Sequence, residues 1–157
     1  MGYMYKRGKL IEYSTNSAIM NIDIHYGSEN FKFNLNEEIK VDENKINQEI
    51  KNQPSSYAFL SMLHVKLIRH AQDKKKEMEK MYAKLYVKYK NQIDPKTNRP
   101  TNDSLAKEKV INSIRFYELV DEYNRIQFEA NVIEVCVKSF EQRYSLIQTL
   151  SANIRKG

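Results

Sequence analysis

Apolar positions alternate with polar ones near the amino end of this chain, and further on they settle into steps of three and four. Met20, Ile22, Ile24 and Tyr26 share one side of an extended segment; Phe31, Phe33 and Leu35 share one side of another. Gly27-Ser28-Glu29-Asn30 between them reads as a hairpin turn. A third short strand fits Lys9 to Tyr13. Two or three strands alone are marginal in water, so the hairpin is expected to pack against a helix or its own copy in a neighbouring subunit. Phe31 and Phe33 then read as the buried face of the sheet, although aromatic strands can also stack bases.

From Asn36 to Gln53 the chain turns polar, and Ile39, Val41, Ile46 and Ile50 are spaced for a short amphipathic helix after Asp42, within a connector. Beyond it, Leu60, Leu63, Leu67, Ala71, Met78, Met81, Leu85 and Tyr89 mark one face of a helix predicted over 55–90, a stretch without Gly or Pro. Pro54-Ser55-Ser56 supplies its start, since proline disfavours helix before it and a serine can accept from the first free amides. Asp94-Pro95, Asn98-Arg99-Pro100 and Thr101-Asn102-Asp103 close that helix and cap the next.

The segment from 103 to 156 is again free of Gly and Pro. Leu119, Tyr123, Ile126, Ala130, Ile133, Val137, Phe140, Tyr144, Ile147, Ser151 and Ile154 step four and three, the spacing of a coiled-coil seam. Val110, Ile114 and Tyr117 are out of phase with it, which predicts a bend or a change of packing partner near Tyr117. The fold class expected is mainly α: a long antiparallel helical hairpin or coiled coil with a small N-terminal β-hairpin. Its predicted divisions are strands in 1–38, a connector in 39–53 and the helical hairpin in 54–157, with a turn-rich loop at 91–103.

At about 1.5 Å per residue the second helix would extend roughly 75–80 Å against about 54 Å for the first. The longer helix would overhang. Val132, Ile133, Val135, Cys136, Val137, Phe140 and Tyr144 make its second half apolar over more than one stripe, a surface expected to be covered by identical neighbours. Self-association is expected through Leu119, Tyr123, Ile126, Ile133, Val137, Phe140, Tyr144, Ile147 and Ile154.

Charge sharpens the picture. The stretch from Ser55 to Lys90 carries Lys66, Arg69, Lys74, Lys75, Lys76, Lys80, Lys84, Lys88 and Lys90 against Asp73, Glu77 and Glu79. Its surplus of +6 equals that of the whole protein, so the excess sits on one predicted helix. Lys76, Lys80, Lys84 and Lys88 recur every four residues, with Tyr82, Tyr86 and Tyr89 interleaved in the sequence. Such a pattern suits an anionic polymer: lysines neutralise phosphates, and tyrosines can stack unpaired bases. The site expected to bind single-stranded DNA is Arg69, Lys74, Lys75, Lys76, Lys80, Tyr82, Lys84, Tyr86, Lys88 and Lys90.

Enzymatic chemistry finds little in the sequence to work with. There is no phosphate-cradling glycine loop, no Cys/His cluster with metal spacing, and His25, His64 and His70 are scattered. No catalytic residue, cofactor or metal is expected. Glu118, Glu122 and Glu129 read as an exposed helical side pairing with Arg115 and Arg125. Cys136, the one cysteine, reads as a core residue. No apolar run approaches the roughly 20 residues that cross a bilayer, so a soluble, cytoplasmic protein without membrane contact is expected.

From Ile39 to Gly157 the chain has an acidic lead-in, Ile39-Lys-Val-Asp42-Glu43 to Ile50, and a Pro54 entry, then the run Asp73-Lys-Lys-Lys-Glu-Met-Glu-Lys-Met-Tyr-Ala-Lys-Leu-Tyr-Val-Lys-Tyr89. A turn-rich gap follows, then a long helix containing Phe140-Glu-Gln-Arg143-Tyr-Ser-Leu-Ile147 and a short basic tail. In this order the segment resembles the phage recombination mediator proteins of the UvsY type. The resemblance implies a non-enzymatic cyclic homo-oligomer, held by its helical C-terminal part, that wraps single-stranded DNA. Such proteins help a RecA-like recombinase displace the single-strand DNA-binding protein, in recombination, repair and replication, within the host cytoplasm. It places Lys84 and Lys88 in the DNA-binding segment and matches Arg143 to an arginine of the C-terminal helix. This chain lacks the family's Arg-Gly step and tryptophan, and its strands from Tyr3 to Leu35 have no counterpart there. The alternative expectation is an oligomeric coiled-coil scaffold or adaptor of a virus whose lysines only solvate it.

Overall fold

Alternation at the amino end does give strands. In the computed structural model, which describes residues 2–6, 9–13, 20–95 and 97–155, β1 (Gly2–Lys6) pairs antiparallel with β2 (Lys9–Tyr13). β3 (Asn21–Tyr26) pairs antiparallel with β4 (Glu29–Asn34), setting Ile22 opposite Phe33 and Ile24 opposite Phe31. The strand expected at Lys9–Tyr13 is present, and β1 is its partner. The turn of the second hairpin is also tighter than expected, since Glu29 and Asn30 belong to β4 and only Gly27 and Ser28 connect the strands. Gly27 has φ 62°, the backbone that a two-residue hairpin of the primed type demands at its first position.

After the strands the chain is mainly helical. Asn34 accepts from the amide of Glu37 and caps α1 (Leu35–Ile39). Asp42 accepts from the amide of Asn44 at 3.0 Å and caps a single 3₁₀ turn, Glu43–Lys45. That turn runs directly into α2, Ile46–Lys90. The predicted start at Pro54-Ser55-Ser56 is therefore corrected: the connector helix and the basic helix are one, and Pro54 lies inside it. An interior proline leaves the Ile50 carbonyl without its helical donor, which ordinarily costs about 3 kcal/mol. Tertiary contacts on both sides of it oppose that cost: Ile46, Leu60 and Leu63 are buried, and Gln53 Nε2 donates to the Phe140 carbonyl at 2.7 Å.

The turn-rich gap forms a small hairpin, β5 (Ile93–Asp94) with β6 (Arg99–Pro100), and Asn98 takes φ 53° within it. Asn102 caps α3 (Asp103–Ile111) by accepting from the amide of Leu105 at 2.8 Å, the capping role its turn formers predict. Asn112 ends that helix, and α4 runs from Ile114 to Ile154. The single helix expected over 103–156 is thus two, interrupted a few residues before the expected bend. Among the described residues no helix is long and apolar enough to cross a membrane.

Two compact units result, one formed by 1–64 with 131–157 and the other by 65–130. The first buries Ile22, Ile24, Leu35, Ile46, Leu60, Leu63, Ile133, Cys136, Phe140 and Ile147. The second buries Leu67, Ala71, Leu85, Ala106, Val110, Ile126 and Ala130. In the second unit α2 and α4 run antiparallel, because Lys74 meets Glu122 while Tyr82, further along α2, meets the earlier Phe116.

Candidate nucleic-acid interface

Charge divides unevenly between the units. Residues 65–130 hold 15 basic and 10 acidic side chains, net +5; the rest of the chain holds 11 and 10, net +1. Within the basic unit, α2 presents Lys75, Lys76, Lys80, Lys84 and Lys88 as exposed side chains. Among the described residues neither Lys80 nor Lys84 has a carboxylate partner. Lys76 lies 3.6 Å from Asp73, and Lys88 Nζ lies 5.9 Å from the centre of the Tyr89 ring.

Other members of the predicted site are already engaged. Lys74 sits between Glu77 and Glu122, 3.1 Å from each, with its side chain only 19% exposed. Those two carboxylates raise its pKa, Glu77 more than Glu122. Lys90 bonds Asp103, which raises the lysine's pKa while Lys90 lowers that of Asp103. Arg69 pairs with Asp73 at 3.3 Å. Glu122, expected on an exposed side pairing with Arg115 or Arg125, is instead half-buried and meets Lys74, and Asp103 meets Lys90; no local spacing tells that these carboxylates close on α2 from other helices.

The tyrosines lie elsewhere on α2. Tyr82 and Tyr86 stack with ring centres 6.3 Å apart and planes within 5°, and Tyr82 meets Phe116 edge-on at 5.7 Å. Tyr82, Tyr86 and Tyr89 are all half-buried. At about 100° per residue they project to one flank of the buried Leu85 line, and Lys88, Lys84, Lys80 and Lys76 fan away on the other. Interleaving in sequence is therefore separation in space for Lys76, Lys80 and Lys84, while Lys88 still reaches over the Tyr89 ring. A shallow groove of about 240 Å³ beside the aromatic cluster is lined by Met78, Glu79, Tyr82 and Phe116.

The predicted self-association seam is largely used within the chain. Ile126, Ile133, Phe140 and Ile147 are buried, and Leu119, Tyr123 and Val137 half-buried. Of that set Tyr144 and Ile154 are exposed, as are Val135 and Leu146 on the outer side of α4 and Phe59 and Met62 on α2. Glu129 departs from the expected exposed acidic side: it pairs with Arg125 at 2.9 Å, as expected, but is buried.

In the unit formed by 1–64 and 131–157, Arg143 is a structural cation. Its Nη1 donates to Gln53 Oε1, and its Nη2 donates to Glu49 and, at 3.2 Å, to the Lys40 carbonyl. Buried in this way, it is held inside the unit, away from solvent. Phe31 packs edge-on against Phe59 at 5.6 Å, and Phe31 and Phe33 are half-buried, short of the fully buried face expected of them. A groove of about 550 Å³ between β4 and α2 is lined by Phe31, Phe33, Phe59, Leu60 and Phe140 with Ser55, Ser56 and Lys32. Burial pushes the Cys136 thiol up to about 11, which keeps it protonated at neutral pH and unfit as a nucleophile.

Comparison of this chain with family models, curated proteins and solved structures finds no match. Among the described residues no cluster of His, Cys, Asp and Glu could hold a metal ion. What the basic unit offers is a file of solvated cations along one rod, able to neutralise successive charges of a polyanion.

Proposed function

We propose that the protein is a non-enzymatic single-stranded DNA-binding recombination mediator of the UvsY kind, which helps load a RecA-like recombinase onto strands covered by single-strand DNA-binding protein. The observation that carries this reading is the row Lys80, Lys84 and Lys88, exposed and without carboxylate partners among the described residues, in a unit that holds nearly all of the net charge. In the same reading the protein self-associates through exposed apolar side chains of its helices, such as Phe59, Met62, Val135 and Leu146. Arraying several weak rows multiplies their effective concentration on one strand.

Charge reversal of Lys80, Lys84 and Lys88 together tests the assignment. Retention of an oligo-dT on a filter at 0.1 M salt should disappear, with the far-ultraviolet circular dichroism and the native mass unchanged. Undiminished affinity in the triple variant would refute the role of the row. The scaffold alternative rests on the exposed apolar residues alone, and it predicts no retention of oligo-dT by the unaltered protein at any salt.

A further inference from the structure

We infer that the lysine row takes the phosphodiester backbone alone, without stacking of bases on Tyr82 or Tyr86, and prefers single strands because of their flexibility. The inference rests on the nucleic-acid reading above and narrows it. Tyr82 already has Tyr86 stacked on one side and the Phe116 edge against it, and both tyrosines are half-buried. Lys84 and Tyr86 point to opposite flanks of α2, so a base attached to a phosphate held by Lys84 lies on the wrong side to reach the Tyr86 ring.

The row itself rises about 6 Å per step and drifts about 40° around the rod at each step, about 120° from Lys76 to Lys88. A flexible single strand can follow such a spiral, meeting a new lysine with each successive phosphate or two. A duplex bends only over about 50 nm, so two stiff rods touch over a short patch and one or two lysines are reached. Selection then comes from how the backbone bends, not from exposed bases.

Binding to three probes of equal length separates these ideas: oligo-dT, an abasic deoxyribose-phosphate strand, and a duplex. Four phosphate contacts on a single strand give a log-log salt slope of about −3 per protomer, and one or two on a duplex give about −1 to −2. The abasic strand should match the slope of oligo-dT and its affinity within about twofold. Loss of one stacked base would weaken it about fivefold or more, and that result would overturn the inference while leaving DNA binding intact. A duplex slope as steep as that of oligo-dT would overturn it too. If none of the three probes binds, the nucleic-acid reading fails and takes the inference with it.

Discussion

Arg143 and Lys84 are both cations on long helices, yet their two units treat charge in opposite ways. In the unit of 1–64 and 131–157, Arg143 is buried among Glu49, Gln53 and the Lys40 carbonyl, and the unit is close to neutral. In the unit of 65–130, Lys80 and Lys84 are exposed and have no carboxylate partner among the described residues. A charge enclosed by its own chain fixes a packing arrangement, because any other arrangement would strand it. A charge left in water contributes little to the fold and is available to something else. In the reading proposed above, one region does the structural work and the other is left to bind.

The strongest way to break that division is Arg143→Ala. It would strand the largely buried Glu49 and leave Gln53 without its donor, at a cost of about 3 kcal/mol. A urea midpoint should register the loss, and a lysine-like response of less than about 0.5 kcal/mol would place Arg143 with the surface charges after all. Lys84→Ala in the same assay should change stability by no more than about 0.5 kcal/mol.

Core truncation should strike the two units alike, since both bury full-sized side chains. Ile133→Ala in one and Ile126→Ala in the other each empty a site of 0% exposure and should cost about 2–4 kcal/mol. Val135→Ala, on the outer side of α4, should cost less than about 0.5 kcal/mol in a monomer; a larger, concentration-dependent loss would show that a second copy covers it.

Gly27→Ala probes backbone alone, because a new Cβ there meets nothing within 4 Å. Holding alanine at φ 62° should cost about 1–2 kcal/mol, visible as a lowered melting temperature without change in oligo-dT binding. The smallest effect belongs to Lys90–Asp103. Asp103 sits below its ordinary 3.8, so its contribution is present above that value and fades as pH falls through the lowered pKa. Lys90 sits above its ordinary 10.5, so its contribution holds below that value and fades as pH rises through the raised pKa. Melting temperatures of the wild type and Asp103→Asn should therefore differ slightly across the neutral range and converge at both extremes.

Much of this architecture is written in local pattern. Alternation placed β3 and β4, and the steps of Leu60, Leu63, Leu67, Ala71 and Leu85 picked out the residues that are buried. Pro54 marks a helix start by its missing amide alone, but the contacts that Gln53 makes with Phe140 and Arg143 carry the helix through it. The partners of Lys74 and Lys90 come from other helices, beyond the reach of any spacing along α2. The separation of lysines from tyrosines was different: it follows from helical angles alone and was hidden only by their adjacency in sequence.

Cys136 has a practical consequence of its own. A thiol with no exposed surface and a raised pKa reacts with a maleimide only during excursions that open its surroundings, so the labelling rate serves as a clock for those openings. Because it is the chain's single cysteine, a dye attached at Lys80→Cys would shine against a dark background and report directly on whatever settles along that rod.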